Sequence, residues 1–183
     1  CGSEIPKIGW HHRLRWDRRR KTILETTLED WERLIRVNLT GTFLCAQAAA
    51  KIMVKQRYGR ILLMGSAAGE RGGTGRTASG QSKGGVSAMT RVLSVELAEL
   101  GITLNALAPG AIETELVAKM HGIKTRTSYC SRIPANRYGS PDEVAAAAVF
   151  LVSEASRYIS DLVLPIDGGF IEGGVIKRQS NPS

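Results

Sequence analysis

One glycine-rich segment of the sequence has a spacing suited to binding phosphate. Residues 73–78 fit the loose Gly-x-Gly-x-x-Ala fingerprint and lie between a predicted strand and a predicted helix. In that arrangement, backbone N–H groups at the start of a helix bind the pyrophosphate of a dinucleotide. The acidic residue that would bind the ribose is not evident at the usual distance along the chain. We therefore interpret the segment as a flexible loop.

The cysteines and histidines do not predict a metal centre. Cys1, Cys45 and Cys130 are odd in number and widely spaced, which indicates neither a disulfide framework nor a metal site. Cys45 falls within an apolar helical pattern, so a buried position is expected for its thiol. We expect His121 to be exposed to solvent rather than to bind a metal ion.

The formal net charge of +8 belongs mainly to the first 21 residues. This arm holds seven basic and two acidic side chains, whereas the other 162 residues hold 18 and 15. With Trp10, His11, His12 and Trp16, the basic cluster could bind nucleic acid or an anionic surface. The arm shows neither strand alternation nor a helical apolar stripe, so we favour a disordered leader. A mis-joined start of a longer gene is a second hypothesis for the arm.

The composition is typical of a soluble globular protein, with 43% hydrophobic and 23% charged residues. No apolar run approaches the ~18 residues that a membrane span needs. The chain begins without the apolar stretch of a signal peptide, so a cytoplasmic location is expected.

Helices and strands alternate from residue 22 onward. A capping box of Thr26 and Glu29 is predicted to open the first helix, and Ser140 to cap the last. Helices are predicted at 28–56, 80–99, about 113–120 and 141–153. Strands are predicted at 60–65, 102–107 and 162–164. The alternation predicts an α/β fold with a parallel sheet, and three strands correspond to part of a Rossmann-like doubly wound sheet. We therefore divide the chain into the arm, residues 1–21, and the C-terminal part of a single Rossmann-like domain, residues 22–183.

Four strings of residues, in order and at a characteristic spacing, resemble one known family. They are VNLTG at 37–41, GRILLMGS at 59–66, NALAPG at 105–110 and DGG at 167–169. These strings resemble motifs of the short-chain dehydrogenases/reductases, and most closely those of the 3-ketoacyl-carrier-protein-reductase type. The resemblance covers about residues 22–176. It implies an NAD(P)-dependent oxidoreductase that moves hydride between nicotinamide and an alcohol or ketone.

The resemblance also implies where the site residues lie. The catalytic Asn, Ser and Lys of the family correspond to Asn38, Ser66 and Lys83, and the position of its catalytic Tyr is held by Ser79. Lys83 is expected to bind the ribose as well. The nicotinamide loop is expected to use Pro109, Gly110, Ile112 and Thr114, although an ordinary helix cap is an equal alternative for Thr114.

Serine at position 79 is a poor replacement for a phenol, because an aliphatic hydroxyl is a much weaker acid and its side chain is shorter. Loss of a positioned acid or base typically costs ~10²–10⁴ in rate. The phosphate loop of the family would precede the aligned region, so the resemblance implies NAD or NADP as cofactor but weakened binding of it. We expect impaired activity, or alternatively a catalytically silent partner subunit of an active dehydrogenase.

Partners and local strain can also be predicted. The helices at 28–56 and 80–99 are those that pair between subunits in the family, so a homo- or hetero-oligomer is expected, whereas a membrane or nucleic acid is not. Glu70 and Arg71 could contact substrate, but an exposed charge pair is the favoured interpretation. Asp161 replaces a family glycine, and strain is expected in the turn before the last strand.

Overall fold

The computed structural model describes residues 21–174 and 176. Its α-helices are α1 (Leu28–Ile35), α2 (Gly41–Gln56), α3 (Ala67–Glu70), α4 (Thr77–Ala98), α5 (Glu115–Met120), α6 (Ile123–Cys130) and α7 (Pro141–Val152). A π-helical segment, Arg36–Thr40, joins α1 to α2, and a 3-10 turn, Glu154–Ser156, follows α7. The strands are β1 (Gly59–Met64), β2 (Ile102–Pro109) and β3 (Val163–Ile166).

The three strands form one parallel sheet in the order β1-β2-β3. Gly59 is in register with Ile102, Met64 with Leu107, and Ala106 with Val163. The α/β fold with a parallel sheet that the alternation predicts is therefore confirmed. Within the described residues β1 is an edge strand.

The central strand β2 is buried on both faces, which explains its nearly continuous apolar sequence. One face joins Ile61, Leu104 and Val86 of α4 in a single hydrophobic core that also includes Ala46 of α2. α7 contacts β1 and β2, yet its buried Leu151 lies outside that core. Helices thus cover both faces of the sheet, which keeps the strand ends fixed in position.

Capping decides where the first and last helices begin. The Ser140 box is confirmed, because its hydroxyl accepts from the Glu143 amide and Glu143 accepts from the Ser140 amide. The prediction for α1 is wrong by one residue: the box pairs Thr27 with Asp30. Thr26 is not the cap: its hydroxyl donates to the Thr22 carbonyl at 2.7 Å, and it is the Thr27 hydroxyl that accepts from the Asp30 amide.

The helical stretch Leu28–Gln56 is long and apolar enough to cross a membrane by length and composition alone. This differs from the expectation that no apolar run approaches the length of a membrane span. Only a small share of this stretch is buried. Cys45 is one of its exposed residues, so the prediction of a buried thiol is wrong. Its neighbour Ala46 takes the core position instead, because the face of α2 that packs on the sheet is narrow.

Several short elements differ from the sequence prediction. α4 begins at Thr77 rather than at residue 80, and α6 occupies a stretch for which no helix or strand was predicted. The sequence of α6 is polar and rich in threonine, so it gives little helical periodicity. Asp161 adopts a φ of 71°, the left-handed conformation that disfavours side chains, in agreement with the expected strain.

The boundary predicted between residues 21 and 22 falls at the edge of the described residues. The basic arm, apart from Lys21, lies outside them.

Candidate active site

Ser66 lies directly beyond the carboxyl end of β1. It is the N-cap of α3, and its Oγ accepts a hydrogen bond from the Ala68 amide at 3.1 Å. The bond fixes the side-chain oxygen where β1 turns into α3. Because this oxygen accepts from the backbone, its own proton can be donated to another group.

Lys83 extends from α4 to the same end of β1. Its Nζ donates to the Met64 carbonyl oxygen at 2.7 Å, two residues before Ser66. Burial lowers the pKa of Lys83 from its ordinary value. The ammonium and the Ser66 hydroxyl are thus brought to one strand end, as expected for two groups that act together.

Asn38 lies in the π-helical segment and contacts α4. Its amide Nδ2 donates to Ser82 Oγ at 3.0 Å, and Ser82 Oγ donates to the Ser79 carbonyl at 2.8 Å. The Asn38 carbonyl accepts from the Thr42 hydroxyl at 2.7 Å. These bonds link Asn38 to the first turns of α4, which carry Ser79 and Lys83.

Ser79 occupies the first turn of α4 and is partly buried. The next residue, Gly80, lies against α3: a Cβ there would be 2.9 Å from the Ala68 carbonyl oxygen. Position 79 therefore lies close to the Ser66 turn, on the helix that also presents Lys83 one turn later.

The predicted nicotinamide loop follows β2. Gly110 donates its amide to the Ile166 carbonyl at 3.0 Å, and a Cβ at Gly110 would be 2.8 Å from Asp167 Cβ. Ile112 forms an isolated bridge with Gly139. Thr114 caps α5, with its Oγ1 accepting from the Val117 amide at 3.2 Å. This is the ordinary-cap alternative that the sequence left open for Thr114.

Sequence reasoning missed a group of aromatic rings beside the start of α4. His121, Tyr138 and Phe170 surround Tyr129, with ring centroids 5.2, 6.0 and 6.3 Å from it. His121 is partly buried, and its Nδ1 lies 2.9 Å from the Tyr138 hydroxyl oxygen. The prediction of an exposed His121 is therefore wrong. The aromatic residues are 8 to 49 positions apart along the chain, too far for a local sequence signal to reveal the group.

The predicted charge pair of Glu70 and Arg71 is not formed. Glu70 instead accepts a hydrogen bond from the Ser87 hydroxyl. The Arg71 guanidinium donates to the carbonyls of Phe170, Ile171 and Gly173. Adjacent residues leave the end of α3 in different directions, so each side chain finds a partner on another element.

Within residues 21–174 no group of three His, Cys, Asp or Glu side chains could hold a metal ion.

Comparison with known proteins identifies the family. The family model described as Enoyl-(Acyl carrier protein) reductase matches residues 7–171, a match that begins within the basic arm. The 3-oxoacyl-[acyl-carrier-protein] reductase FabG of Aquifex aeolicus is 41% identical over 151 residues, covering 82% of this chain and 60% of that protein. Glucose 1-dehydrogenase 2 of Bacillus subtilis is 41% identical over 146 residues, covering 79% and 57%.

Solved structures of dehydrogenases are also similar to this chain. A gluconate 5-dehydrogenase from Burkholderia cenocepacia, in complex with NADP and tartrate, matches with a TM-score of 0.80 and 36% identity, over 84% of this chain and 61% of that one. The TT0495 protein from Thermus thermophilus matches with a TM-score of 0.79 and 34% identity, over 84% and 66%. The chain spans about three fifths of the length of the curated relatives that it matches. Its fold is Rossmann-like, and the chain belongs to the short-chain dehydrogenase/reductase family.

Proposed function

We propose that this chain is an NAD(P)-dependent oxidoreductase that transfers hydride between nicotinamide and a small alcohol or ketone in the cytoplasm. The observation that carries the proposal is the bond of 2.7 Å from Lys83 Nζ to the Met64 carbonyl. That bond brings a partly buried ammonium to the strand end where Ser66 begins α3.

Each group has a role that its geometry allows. The Ser66 hydroxyl would donate to the substrate oxygen. Lys83 has three donors, and the bond to Met64 uses one, so the others suit the ribose hydroxyls. Asn38, held by Ser82 and Thr42, would place its backbone next to the proton path. When bound, the nicotinamide supplies or takes the hydride.

The loop after β2 would border the nicotinamide. Pro109, Gly110, Ile112 and Thr114 follow the carboxyl end of the central strand, where ligands bind in open α/β sheets. In support, the gluconate 5-dehydrogenase from Burkholderia cenocepacia was solved with NADP.

In this proposal the absence of a phenol at position 79 limits the rate of hydride transfer. The Ser79→Tyr variant places a phenol one helical turn before Lys83, so kcat is expected to rise by about 10²-fold, the usual size of a positioned acid. The assay follows NADPH and NADH oxidation with a 3-oxoacyl thioester, glucono-δ-lactone and a simple cyclic ketone. Adding Lys83→Met to Ser79→Tyr is the control and is expected to abolish the gain. A Ser79→Tyr variant with no activity on any substrate would contradict the proposed function.

We propose in addition that the chain assembles through α2 and α4. Between them lies a groove of about 450 Å³, whose rim includes Phe43, Lys51 and Glu96. Leu44 of α2 and Val95 of α4 expose 56% and 75% of their surface beside it. An apolar surface of this kind favours a second subunit, either another copy or an active dehydrogenase for which this chain is a silent partner.

Light scattering of the purified chain tests the assembly. We expect an oligomer that Leu44→Asp dissociates, because a carboxylate would be buried in the apolar contact. Leu116→Asp, on α5 at a position 47% exposed and away from the groove, introduces the same charge in place of the same residue type and is the control expected to change nothing. A monodisperse monomer would refute self-assembly. If an active family member binds this chain but not its Leu44→Asp variant, the silent-partner alternative is supported.

A further inference from the structure

We propose that residues 167–173 form a strap across the carboxyl edge of the sheet, and that Arg71 is the positioning residue that holds this strap over the candidate site. The inference rests on the proposed oxidoreductase function and concerns which substrates reach the same site. Arg71 lies outside the four strings of residues that resemble the family. By holding the strap in place, Arg71 limits the size of the substrate that the site accepts.

The strap begins at one side of the sheet and ends at the other. Asp167 follows β3, and a Cβ on Gly110, in the loop after β2, would lie 2.8 Å from the Asp167 Cβ. Gly173 lies against the guanidinium of Arg71, which follows α3 and therefore the end of β1. Because the strand order is β1-β2-β3, the strap passes the carboxyl ends of all three strands. Ligands of open α/β sheets bind at this edge.

The half of the strap nearer to β3 is held without Arg71. The Asp167 carboxylate accepts from the Gly169 amide at 2.9 Å and from the Ile171 amide at 2.7 Å. The Gly168 carbonyl accepts from the Ala135 amide at 3.0 Å. Two strand spacings amount to about 10 Å, whereas seven residues can span ~23 Å. The strap is therefore not stretched, so its position over the sheet depends on a contact at its far end.

Arg71 supplies that contact. Its Nη1 lies within hydrogen-bond distance of three carbonyl oxygens, those of Phe170, Ile171 and Gly173, with the last two at 3.3 Å. The guanidinium also lies 5.1 Å from the centroid of the Phe170 ring. Carbonyl dipoles that converge on one point repel one another, and a cation between them is stabilising, as at the C-terminus of a helix. Removal of the cation therefore favours an open strap whose carbonyls turn to water.

α3 connects Arg71 to the turn that carries Ser66. The Arg71 amide donates to the Ala67 carbonyl at 2.9 Å, and the Gly69 amide donates to the Ser66 carbonyl at 2.9 Å. α3 lies directly on α4, because a Cβ on Gly69 would be 2.6 Å from the Lys83 carbonyl carbon. The strap is thus held by the short helix that begins at Ser66 and packs against the backbone of Lys83.

Loss of Arg71 is expected to alter substrate binding rather than the reacting groups. Ser66 keeps its bond from the Ala68 amide, and Lys83 keeps its bond to the Met64 carbonyl, whatever side chain stands at position 71. An open strap no longer holds a small substrate against these groups. Contacts that bind substrate and transition state equally raise KM when they are lost and leave kcat unchanged. A long substrate needs more room, so it does not suffer this loss.

Amide hydrogen exchange of the full chain tests the strap without any need for turnover. Arg71→Met removes the donors and keeps an unbranched side chain, so we expect the amides of residues 167–173 to exchange at least tenfold faster. Arg71→Lys is expected to keep exchange within threefold, because all three carbonyls face one nitrogen and an ammonium carries three donors on one nitrogen.

Arg157→Met is the matched control for exchange and for kinetics. This exposed arginine follows the 3-10 turn whose Glu154 accepts from Tyr58, just before β1 begins, at the opposite end of the sheet. We expect Arg157→Met to leave both the exchange of residues 167–173 and the substrate preference unchanged.

Kinetics in the Ser79→Tyr background test the effect on substrate choice. With the cyclic ketone, Arg71→Met is expected to raise KM about tenfold and to change kcat less than threefold. With the 3-oxoacyl thioester, KM is expected to stay within threefold or to fall. The preference measured by kcat/KM thus moves about tenfold towards the larger substrate.

Several outcomes would overturn the inference. One is exchange of residues 167–173 in Arg71→Met within threefold of that in Arg157→Met. Another is an active Ser79→Tyr chain whose substrate preference Arg71→Met does not change. A tenfold fall in kcat with both substrates would also overturn it, since Arg71 would then support the reacting groups themselves. Absence of turnover in Ser79→Tyr, with and without Arg71→Met, would instead overturn the proposed function, and with it the role of the strap in substrate choice.

Discussion

Gly69 allows α3 to lie directly against α4, and Gly69→Ala is predicted to separate them. A Cβ at this position would lie 2.6 Å from both the Gly84 nitrogen and the Lys83 carbonyl carbon. Both are backbone atoms, so neither can swing aside as a side chain would. Reaching the ordinary contact of 3.4 Å requires α3 to retreat by about 0.8 Å.

The retreat moves the Ser66 turn away from Lys83, because Ser66 is the N-cap of α3. A misplacement of about 1 Å in a catalytic group can cost ~10² in rate, so we expect a loss of that order in kcat/KM. Overpacking typically destabilises by about 1–3 kcal/mol, and the better helix propensity of alanine offsets at most about 1 kcal/mol. We therefore expect Tm to fall by about 2–4 °C for each net kcal/mol.

The matched control is Gly72→Ala, three residues away, where a Cβ would meet nothing within 4 Å. Both variants are compared in the Ser79→Tyr background by thermal denaturation and by nicotinamide oxidation. Equal kcat/KM, within threefold, for Gly69→Ala and Gly72→Ala would refute the argument that close contact between α3 and α4 positions Ser66.

Two further predictions concern stability. Leu104 is fully buried at the centre of β2, so Leu104→Ala is expected to lower the free energy of unfolding by about 2–5 kcal/mol in denaturant melts; a loss no larger than that of Ile123→Ala, at a position 85% exposed, would refute this. A bond from Arg137 and one from the Ser140 amide hold the pKa of Glu143 at about 2, below its ordinary 4.5. The stability that these bonds contribute is present above pH 4.5 and is lost as the pH falls towards 2. The Tm of Glu143→Gln should therefore fall less across that window, and an unchanged acid transition would count against the linkage.

Parts of the fold could be predicted from short stretches of sequence because the forces that form them are local. Ser140 and Glu143 each accept a hydrogen bond from the other's backbone amide across one helical turn. β2 is predicted as a buried strand because its apolar residues are nearly continuous. The register of a capping box is less certain: Thr26 and Thr27 both offer a hydroxyl. In the structure the Thr27 hydroxyl accepts from the Asp30 amide, whereas the Thr26 hydroxyl donates to the Thr22 carbonyl.

Helix faces could be predicted less well. The apolar pattern around Cys45 indicates a helix, yet it is apolar on more than one side, so the pattern does not say which side packs on the sheet. α6 gave no helical signal, because its residues are polar or β-branched and its position depends on the rings that pack against it.

For the candidate site, too, local sequence predicts some residues and not others. Asn38, Ser66, Ser79 and Lys83 could be proposed from motif order alone, because each lies at a fixed distance from a strand end or on a helical turn. The strain at Asp161 also followed from sequence, since a side chain stands where the turn requires a positive φ.

Tertiary structure alone decided which side chains surround that site. Tyr129 meets Arg76 across 53 positions of the chain, and Arg71 reaches the Phe170 carbonyl across 99. Contacts of this kind depend on how α6 and the segment after β3 pack over the end of the sheet. The sequence by itself therefore determined the family motifs and the elements that carry them, because those depend on local spacing. Only the packed chain determined that a phenol from α6 accepts a hydrogen bond from Arg76 at the start of α4, because separation along the chain does not encode separation in space.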